Sequence, residues 1–435
     1  MSAAAPTMAP VVQELGEAER KSLRSARIRG AVIAAAGLAC FAAASGSFDV
    51  TATFSFWLVK QGGDAFTIAT SVGMLWLLAG IASGVIGIAQ MIKGPAFPWR
   101  KSLVILVPLY IAAIVAALLD GKTANMTNVF AGTLEYAIPV SLGAFAGILS
   151  ERSGMLNIAI EGKFLLSACA AAISASLVTT ITGSGLAGVC AGVLTAMLAG
   201  IGVGFLLAWL GIRHKVDQII AGVVVNIGAI GITNFVFLRI LGKNTWLNTP
   251  PTIDRIKIPL LSEIPVVGPL LFSGTPYLYF TIATMLFLTY MLFRTRWGLR
   301  LRASGEKPSA AGTVGIDVIK IRYRSMLLAG ALAGIAGSYL SLASAGSFQM
   351  GMSAGKGFIA LAAVIFGAWN PIGAFGAALV FGFSDAIQSL LSILGVDVPP
   401  QLLNSVPYLV TIIVVAGVVG RVRGPAAAGQ PYDQG

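Results

Sequence analysis

Long apolar runs separated by short polar loops follow one another along almost the whole chain. Most of these runs reach the ~20 residues that an α-helix needs to cross the ~30 Å hydrocarbon layer of a bilayer. The pattern predicts an all-α fold, a polytopic integral membrane bundle of about ten to twelve transmembrane helices. The apolar runs are 30–47, 66–92, 103–119, 129–149, 163–182, 185–211, 217–241, 277–293, 325–345, 357–368, 372–394 and 404–420.

The run 357–368 is shorter than a membrane span and is followed by Trp369, Asn370 and Pro371. Proline interrupts a helix because it lacks a backbone N–H and its ring clashes with the preceding turn. We expect this run to be half of a broken or re-entrant helix. Such breaks are tolerated where they are buried in protein or line a cavity.

Composition and charge agree with a membrane protein. The chain has 57% hydrophobic and 11% charged residues, with a net charge of +12. Basic residues collect in the N-terminal tail, 1–29, and in short loops, above all 294–324, as they do in segments that stay in the cytoplasm. Both termini are therefore predicted to be cytoplasmic. Because the basic residues serve as topology signals, the expected partner is membrane lipid and no nucleic acid.

The sequence carries no catalytic motif and no metal-ligand motif. It lacks G-x-S-x-G and H-E-x-x-H, its single histidine, His214, lies in a basic loop, and its three cysteines lack metal-ligand spacing. The stretch 351–357, GMSAGKG, resembles a phosphate-binding loop superficially. Its first spacing is one residue short, and Gly357 stands where Ser or Thr should bind Mg²⁺. We therefore predict that the chain is no enzyme and binds no cofactor or metal.

One dense polar segment, ERSGMLNIAIEGK at 151–163, interrupts the apolar pattern. If the chain after Gly154 is helical, Asn157 and Glu161 lie one turn apart on the same face and line a cavity. The alternative is that both are surface loop residues, with Asn157 capping the next helix.

A second polar set is formed by Gln218, Asn226 and Asn234, whose eight-residue spacing returns to roughly one helical face. Asn226 either hydrogen-bonds a substrate or bridges two helices. Glu135 and Asp385 are carboxylates well inside apolar runs, with no matching intramembrane cation evident for them. Either could couple protons, so a proton-coupled secondary transporter of a small polar solute is the alternative function.

Several long stretches resemble the permease subunits of bacterial ABC importers of the simple-sugar and nucleoside type, most of all the nucleoside branch. The main stretches are 151–162 (ERSGMLNIAIEG), 298–337 (GLRLRASGEKPSAAGTVGIDVIKIRYRSMLLAGALAGIAG) and 357–385 (GFIALAAVIFGAWNPIGAFGAALVFGFSD), and 215–226, 258–272 and 406–421 add to them. The resemblance implies a permease core at 127–423 with a cytoplasmic coupling loop at 294–324. Before this core come the tail 1–29 and an extra transmembrane region, 30–126. After it, 424–435 is expected to be a disordered tail.

The resemblance implies an importer in the bacterial inner membrane that carries nucleosides or related small solutes, with simple sugars possible. It implies three protein partners: an ABC ATPase subunit that hydrolyses the ATP, a second related permease that forms a heterodimer, and an external substrate-binding lipoprotein. The ATPase is expected to dock on 304–316. The expected contact residues are Glu306, Pro308, Ala311 and Gly315.

Substrate-pathway residues are expected among the polar and aromatic side chains of the core. A nucleoside offers a π face for stacking and base edges for hydrogen bonds to amides. Trp369 is either a pathway residue or an anchor at the membrane boundary. The expected pathway residues are Asn157, Glu161, Gln218, Asn226, Phe358, Trp369 and Asn370.

Overall fold

The computed structural model describes residues 9–57, 65–119, 121–265, 267–396 and 423–432, together with the single positions 399, 402 and 405. The chain divides into two compact units. The first comprises the described residues of 1–126 and 389–403, and the second comprises those of 127–388 and 404–435. The predicted run 404–420, apart from Ser405, lies outside the described residues.

Helices and a small sheet make up the described part of the first unit. The helices are α1 (Ala9–Ser45), α2 (Val72–Lys93) and α3 (Trp99–Leu119), and the strands are β1 (Thr51–Trp57), β2 (Ala65–Ser71) and β3 (Thr123–Asn125). The prediction that the whole apolar run 66–92 is one helix is therefore wrong, because residues 66–71 belong to β2 and the helix begins at Val72. The sequence of β2, AFTIATS, is rich in the β-branched residues that favour strands.

The sheet has the order β2-β1-β3. Strand β1 pairs with β2 in antiparallel register from Thr51↔Ser71 to Trp57↔Ala65, and with β3 in parallel register from Thr53↔Thr123 to Ser55↔Asn125. A parallel pair needs a crossover connection that returns the chain to the same side. Helices α2 and α3 supply that connection.

The second unit is built from helices of very different lengths. They are α4 (Met126–Glu151), α5 (Ile160–Thr182), α6 (Gly185–Ala208), α7 (Gln218–Val236), α8 (Val267–Leu271), α9 (Pro276–Arg294), α10 (Arg296–Glu306), α11 (Pro308–Thr313), α12 (Val318–Tyr339), α13 (Lys356–Phe366) and α14 (Pro371–Ile393). Wider π-helical turns extend α6, α7 and α12. Two short strands, β4 (Ile256–Lys257) and β5 (Ser273–Gly274), pair in the proline-rich loop before α9.

Within the described residues, ten helices are long and apolar enough to cross a membrane. This result confirms the predicted all-α membrane bundle. Helix α13 has only 11 residues and ends at a sharp turn, where Ala368 and Trp369 both have φ of 54°. The broken helix expected at 357–368 is therefore present.

Glycines allow the long helices to approach closely. Gly200 of α6 lies against Gly330 and Gly334 of α12, and Gly204 lies against the backbone of Met326. Small residues permit such contacts in lipid, where apolar surface alone does not drive association. The small-residue faces thus pack helices within one bundle.

The described part of the C-terminal tail differs from the expected disorder. Residues 426–429 form turns, and Pro425 and Ala427 are buried. The Ala427 N–H donates to the Gly305 carbonyl at 2.9 Å, and the Gly429 N–H donates to the Gly154 carbonyl at 3.0 Å. Composition suggested disorder because the side chains are small, yet small side chains also let this backbone reach the protein surface.

Candidate functional site

Helices α4 and α5 are separated by an unwound segment, residues 152–159, which we call the break. Gly154 has φ of 93°, a conformation that only glycine adopts readily, and it ends the last turn of α4. Ser153, Met155, Asn157 and Ala159 are all buried. The chain after Gly154 becomes helical only at Ile160, where α5 begins, so Asn157 and Glu161 do not share a helical face.

Two amide side chains of α7 hydrogen-bond the backbone of the break. Gln218 Oε1 accepts from the Leu156 N–H at 2.7 Å. Asn226 Nδ2 donates to the Ile158 carbonyl at 2.9 Å, and Asn226 Oδ1 accepts from the Gly162 N–H at 2.8 Å. Asn226 was expected either to hydrogen-bond a substrate or to bridge two helices, and in the structure it bridges α7 to the start of α5.

Asn157, in the break, contacts a buried lysine of α5. Lys163 Nζ donates to Asn157 Oδ1 at 2.6 Å, and both side chains are fully buried. Among the described residues, Asn157 Nδ2 has no hydrogen-bond partner. Asn157 is therefore an interior residue that binds the buried Lys163 amine, and the surface-loop alternative is wrong for it.

Serine hydroxyls from two further helices contact the start of the break. Ser304 of α10 donates to the Ser153 carbonyl at 3.1 Å, and Ser325 of α12 donates to the Ser153 hydroxyl at 2.7 Å. The break is thereby connected to α7, α10 and α12 at once.

Trp369 and Arg152 join the end of α4 to the turn before α14. The Trp369 indole Nε1 donates to Glu151 Oε2 at 2.6 Å, and Arg152 Nε and Nη2 donate to the Trp369 carbonyl at 3.2 and 3.1 Å. Asn370 Oδ1 accepts from the Ile372 N–H at 3.0 Å, so this side chain caps α14. Burial lowers the pKa of Arg152, an effect that the nearby Glu306 carboxylate opposes.

Glu161, in the first turn of α5, binds the loop 351–357. Its Oε1 accepts from the Ser353 hydroxyl at 2.6 Å and the Gly355 N–H at 2.8 Å, and its Oε2 accepts from the Gly357 N–H at 2.7 Å. The two backbone donors belong to the start of α13, where a helix dipole favours negative charge. The loop that resembles a phosphate-binding motif therefore holds a carboxylate of its own chain.

Asp385 has an ionic partner, which corrects the expectation that no intramembrane cation matches it. Lys356 Nζ lies 2.8 Å from Asp385 Oδ2, and the two side chains are 19% and 15% exposed. The same ammonium lies 6.0 Å from the centroid of the Tyr136 ring. Glu135 accepts from the Thr275 hydroxyl at 3.1 Å and the Tyr339 hydroxyl at 3.2 Å. Both carboxylates are thus paired within the protein.

The expected ATPase-docking segment forms two short consecutive helices, α10 and α11, which together we call the α10–α11 segment. Pro308 is the first residue of α11, and Lys307 separates the two helices. Glu306 and Gly315 are exposed, whereas Ala311 is only 4% exposed. Ala311 therefore supports α11 from inside, while Glu306 and Gly315 lie where a partner can reach them.

Phe358 differs from the other expected pathway residues because its side chain is 50% exposed. Asn157, Glu161, Gln218 and Asn226 of that set are buried and hydrogen-bonded inside the protein, and Asn370 is half-buried. An apolar cavity of about 570 Å³ lies between α6, α9 and the loop 251–254, and none of the expected pathway residues lines it.

Sequence reasoning missed several of these partners. Lys163, Ser353 and Lys356 gain their roles from residues that they meet only in the folded bundle. A usable signal existed for Lys356, since an isolated lysine in one apolar region and an isolated aspartate in another invite pairing.

Buried unwound backbone between membrane spans is typical of transport proteins. The family model described as branched-chain amino acid transport system / permease component matches residues 129–415. The chain belongs to this family of membrane permeases, which confirms the resemblance seen in the sequence.

Individual relatives agree with this assignment. The guanosine ABC transporter permease protein NupQ of Bacillus subtilis is 38% identical over 308 residues, which make up 70% of this chain and 95% of that protein. The nucleoside ABC transporter permease protein NupC of Lactococcus lactis subsp. cremoris is 36% identical over 310 residues, 70% of this chain and 96% of that protein. No solved structure shows a significant match to this chain.

Replacing Asn226 by Ala is expected to loosen the break. The Ile158 carbonyl and the Gly162 N–H lose their partner, at a cost of about 1–3 kcal/mol for each buried group left unsatisfied. Hydrogen–deuterium exchange of peptides covering 152–162 should accelerate in N226A. The matched control is N234A on the same helix, because Asn234 Oδ1 has no hydrogen-bond partner among the described residues. Equal exchange in both variants would contradict the bridging role.

Replacing Glu161 by Ala is expected to destabilise the protein by at least about 3 kcal/mol, since three hydrogen bonds to a buried carboxylate are lost. The thermal unfolding midpoint of the detergent-purified protein should fall markedly in E161A and less in E161Q, which keeps one acceptor oxygen. E263A, at an exposed glutamate, provides the control. An unchanged midpoint in E161A would show that the carboxylate does not hold the loop.

Proposed function

We propose that this chain is a permease subunit of an ABC importer that carries nucleosides or closely related neutral solutes across the bacterial inner membrane. The observation that carries this proposal is the identity of 38% and 36% to two permeases named for guanosine and nucleoside transport, across 95% and 96% of their lengths. The matched region, 129–415, includes the break, the loop 351–357 and the α10–α11 segment.

A separate ATPase supplies the energy in this proposal. The α10–α11 segment supports it, because Glu306 at the end of α10 and Gly315 in the turn after α11 are exposed between two long apolar helices, α9 and α12. A short exposed helix between two spans is suited to receive a push from a soluble subunit. The remaining proposed partners are a second related permease and an external substrate-binding lipoprotein.

We propose that both termini and the α10–α11 segment are cytoplasmic, because each of these regions carries or follows a cluster of basic residues. For the N-terminal tail, the parallel β1–β3 pair of the first unit supports this orientation, because both strands must lie on one side of the membrane. The turn between α2 and α3 then lies on the other side, and it carries Lys93, Arg100 and Lys101. Basic residues favour the cytoplasmic side, so the sheet is assigned to the outside and the N-terminal tail to the inside.

The substrate pathway is proposed to include Phe358, whose exposed ring can stack on a nucleobase. The buried polar residues act differently in this proposal. Asn157, Glu161, Gln218 and Asn226 hold the unwound backbone and position the pathway, without direct contact with the solute.

The alternative, proton-coupled transport, has no observation in its favour. A proton carrier needs a carboxylate that is free to bind and release a proton, whereas the Asp385 carboxylate lies 2.8 Å from the Lys356 ammonium. Glu135 is engaged by two hydroxyl groups.

Transport by the complete complex in proteoliposomes is expected to require ATP on the side of the ATPase. Import of labelled nucleoside should stop without ATP and continue when a protonophore collapses the pH gradient. D385N is expected to lower import, since Lys356 loses its ionic partner, without making import sensitive to the protonophore. Uptake by this chain alone, driven by a pH gradient, would overturn the proposal.

Replacing Gly315 by Ala is expected to impair ATPase docking without affecting membrane insertion. Gly315 has φ of 79° and open space around it, so the added methyl group strains only the backbone, by about 1–2 kcal/mol. The free turn relaxes to relieve this strain, and restoring its conformation on docking costs the same free energy, which corresponds to about a tenfold loss of ATPase affinity, measured by co-purification. The control is G183A in the turn between α5 and α6, where φ is 69° and the space is also open. Equal losses of ATPase affinity in G315A and G183A would show that Gly315 has no specific role in docking.

A further inference from the structure

The described C-terminal residues, 423–432, contact both the break and the end of α10. Besides the hydrogen bonds to Gly154 in the break and Gly305 in α10, the Ala426 N–H points to Glu306 Oε2 at 3.4 Å. We call this segment the C-terminal tie. It lies beyond residue 415, where the family match ends.

Arg322 of α12 depends on the tie. Its side chain is 2% exposed, and its Nη1 donates to the Gln430 carbonyl at 2.9 Å. Among the described residues, its Nε and Nη2 have no hydrogen-bond partner. The guanidinium carbon lies 6.0 Å from the centroid of the Tyr432 ring, within reach of a cation–π interaction. A buried cation therefore holds the end of the tie in place.

Tyr432 extends the tie to α11. A methyl group built on Gly312 would collide with the Tyr432 hydroxyl, whereas it would lie 3.6 Å from Tyr432 Cζ, an ordinary contact distance. The Tyr432 ring thus fits against Gly312, the one position of α11 that has no side chain. Ala311 is the only buried residue of α11 itself, so this helix has little packing of its own on the bundle.

We propose that the C-terminal tie couples α11 to the break, with Tyr432 and Arg322 as its positioning residues. The tie connects the helix on which the ATPase would act with the unwound backbone between α4 and α5. A displacement of α11 reaches Gly154 through Tyr432, Gln430 and Gly429. This inference rests on the proposed function, in which α11 receives the movement of the ATPase.

The test uses a compensating pair of substitutions in the complete complex. G312A introduces the methyl group that displaces the Tyr432 hydroxyl, and Y432F removes that hydroxyl, so the double variant G312A/Y432F restores the fit. The readout is nucleoside imported per ATP hydrolysed in proteoliposomes, which does not depend on the amount of folded complex. G231A, a helical glycine of α7 with open space around it, is the matched control.

The import ratio is expected to fall about 3- to 30-fold in G312A, the range seen for substitutions along coupling networks, and to recover in the double variant. G231A should keep the wild-type ratio. An unchanged ratio in G312A overturns the tie. A loss in G312A that Y432F does not rescue also overturns it, and assigns Gly312 to the ATPase contact alone. Failure of the wild-type complex to import with ATP would instead refute the proposed function, so the two failures are distinguishable.

Discussion

Unwound backbone inside an apolar bundle must find hydrogen-bond partners within the protein, and this constraint organises the second unit. A backbone group left unpaired in hydrocarbon costs several kcal/mol, so each peptide of the break calls for a polar neighbour. The α7 side chains Gln218 and Asn226 form hydrogen bonds with backbone groups of Leu156, Ile158 and Gly162. Residues of α10, α12 and the C-terminal tie form the other hydrogen bonds to the break. The polar side chains at membrane depth are therefore committed largely to the backbone of their own chain.

Glu161 provides hydrogen-bond acceptors for the backbone of a second unwound region, the loop 351–357. Its carboxylate accepts hydrogen bonds from Ser353, Gly355 and Gly357, and it lies two residues after the break ends. The break and the loop 351–357 are consequently joined through one side chain, so α5 and α13 begin at a shared contact. Helix α13 also bears Phe358, the exposed aromatic residue of the proposed pathway. Movement at the break thus has a short physical route to the surface that would meet the solute.

Local patterns in the sequence accounted for the membrane bundle, and long-range contacts explain most of what they missed. Run length alone predicts spans, and the proline after Asn370 predicts the end of α13, because both effects act within a few residues. Hydropathy alone does not distinguish an apolar strand from the start of an apolar helix. The apolar run 66–92 therefore includes most of β2 together with α2. The partners of Glu161 and Asp385 lie 192 and 29 residues away at Ser353 and Lys356, and their pairing depends on how the helices pack. The tail at 424–435 has a composition typical of disorder, yet the backbone of its described residues, 424–432, docks on groups that only the folded bundle presents.

The parallel pairing of β1 with β3 imposes an order on biogenesis. Strand β1 leaves the ribosome before α2 and α3, whereas β3 follows both, so the sheet stays incomplete until the two helices have entered the bilayer. During that interval β1 can pair only with β2, and the edge later occupied by Thr123 to Asn125 remains open. Closure of the sheet therefore requires that α2 and α3 return the chain to the side on which β1 lies.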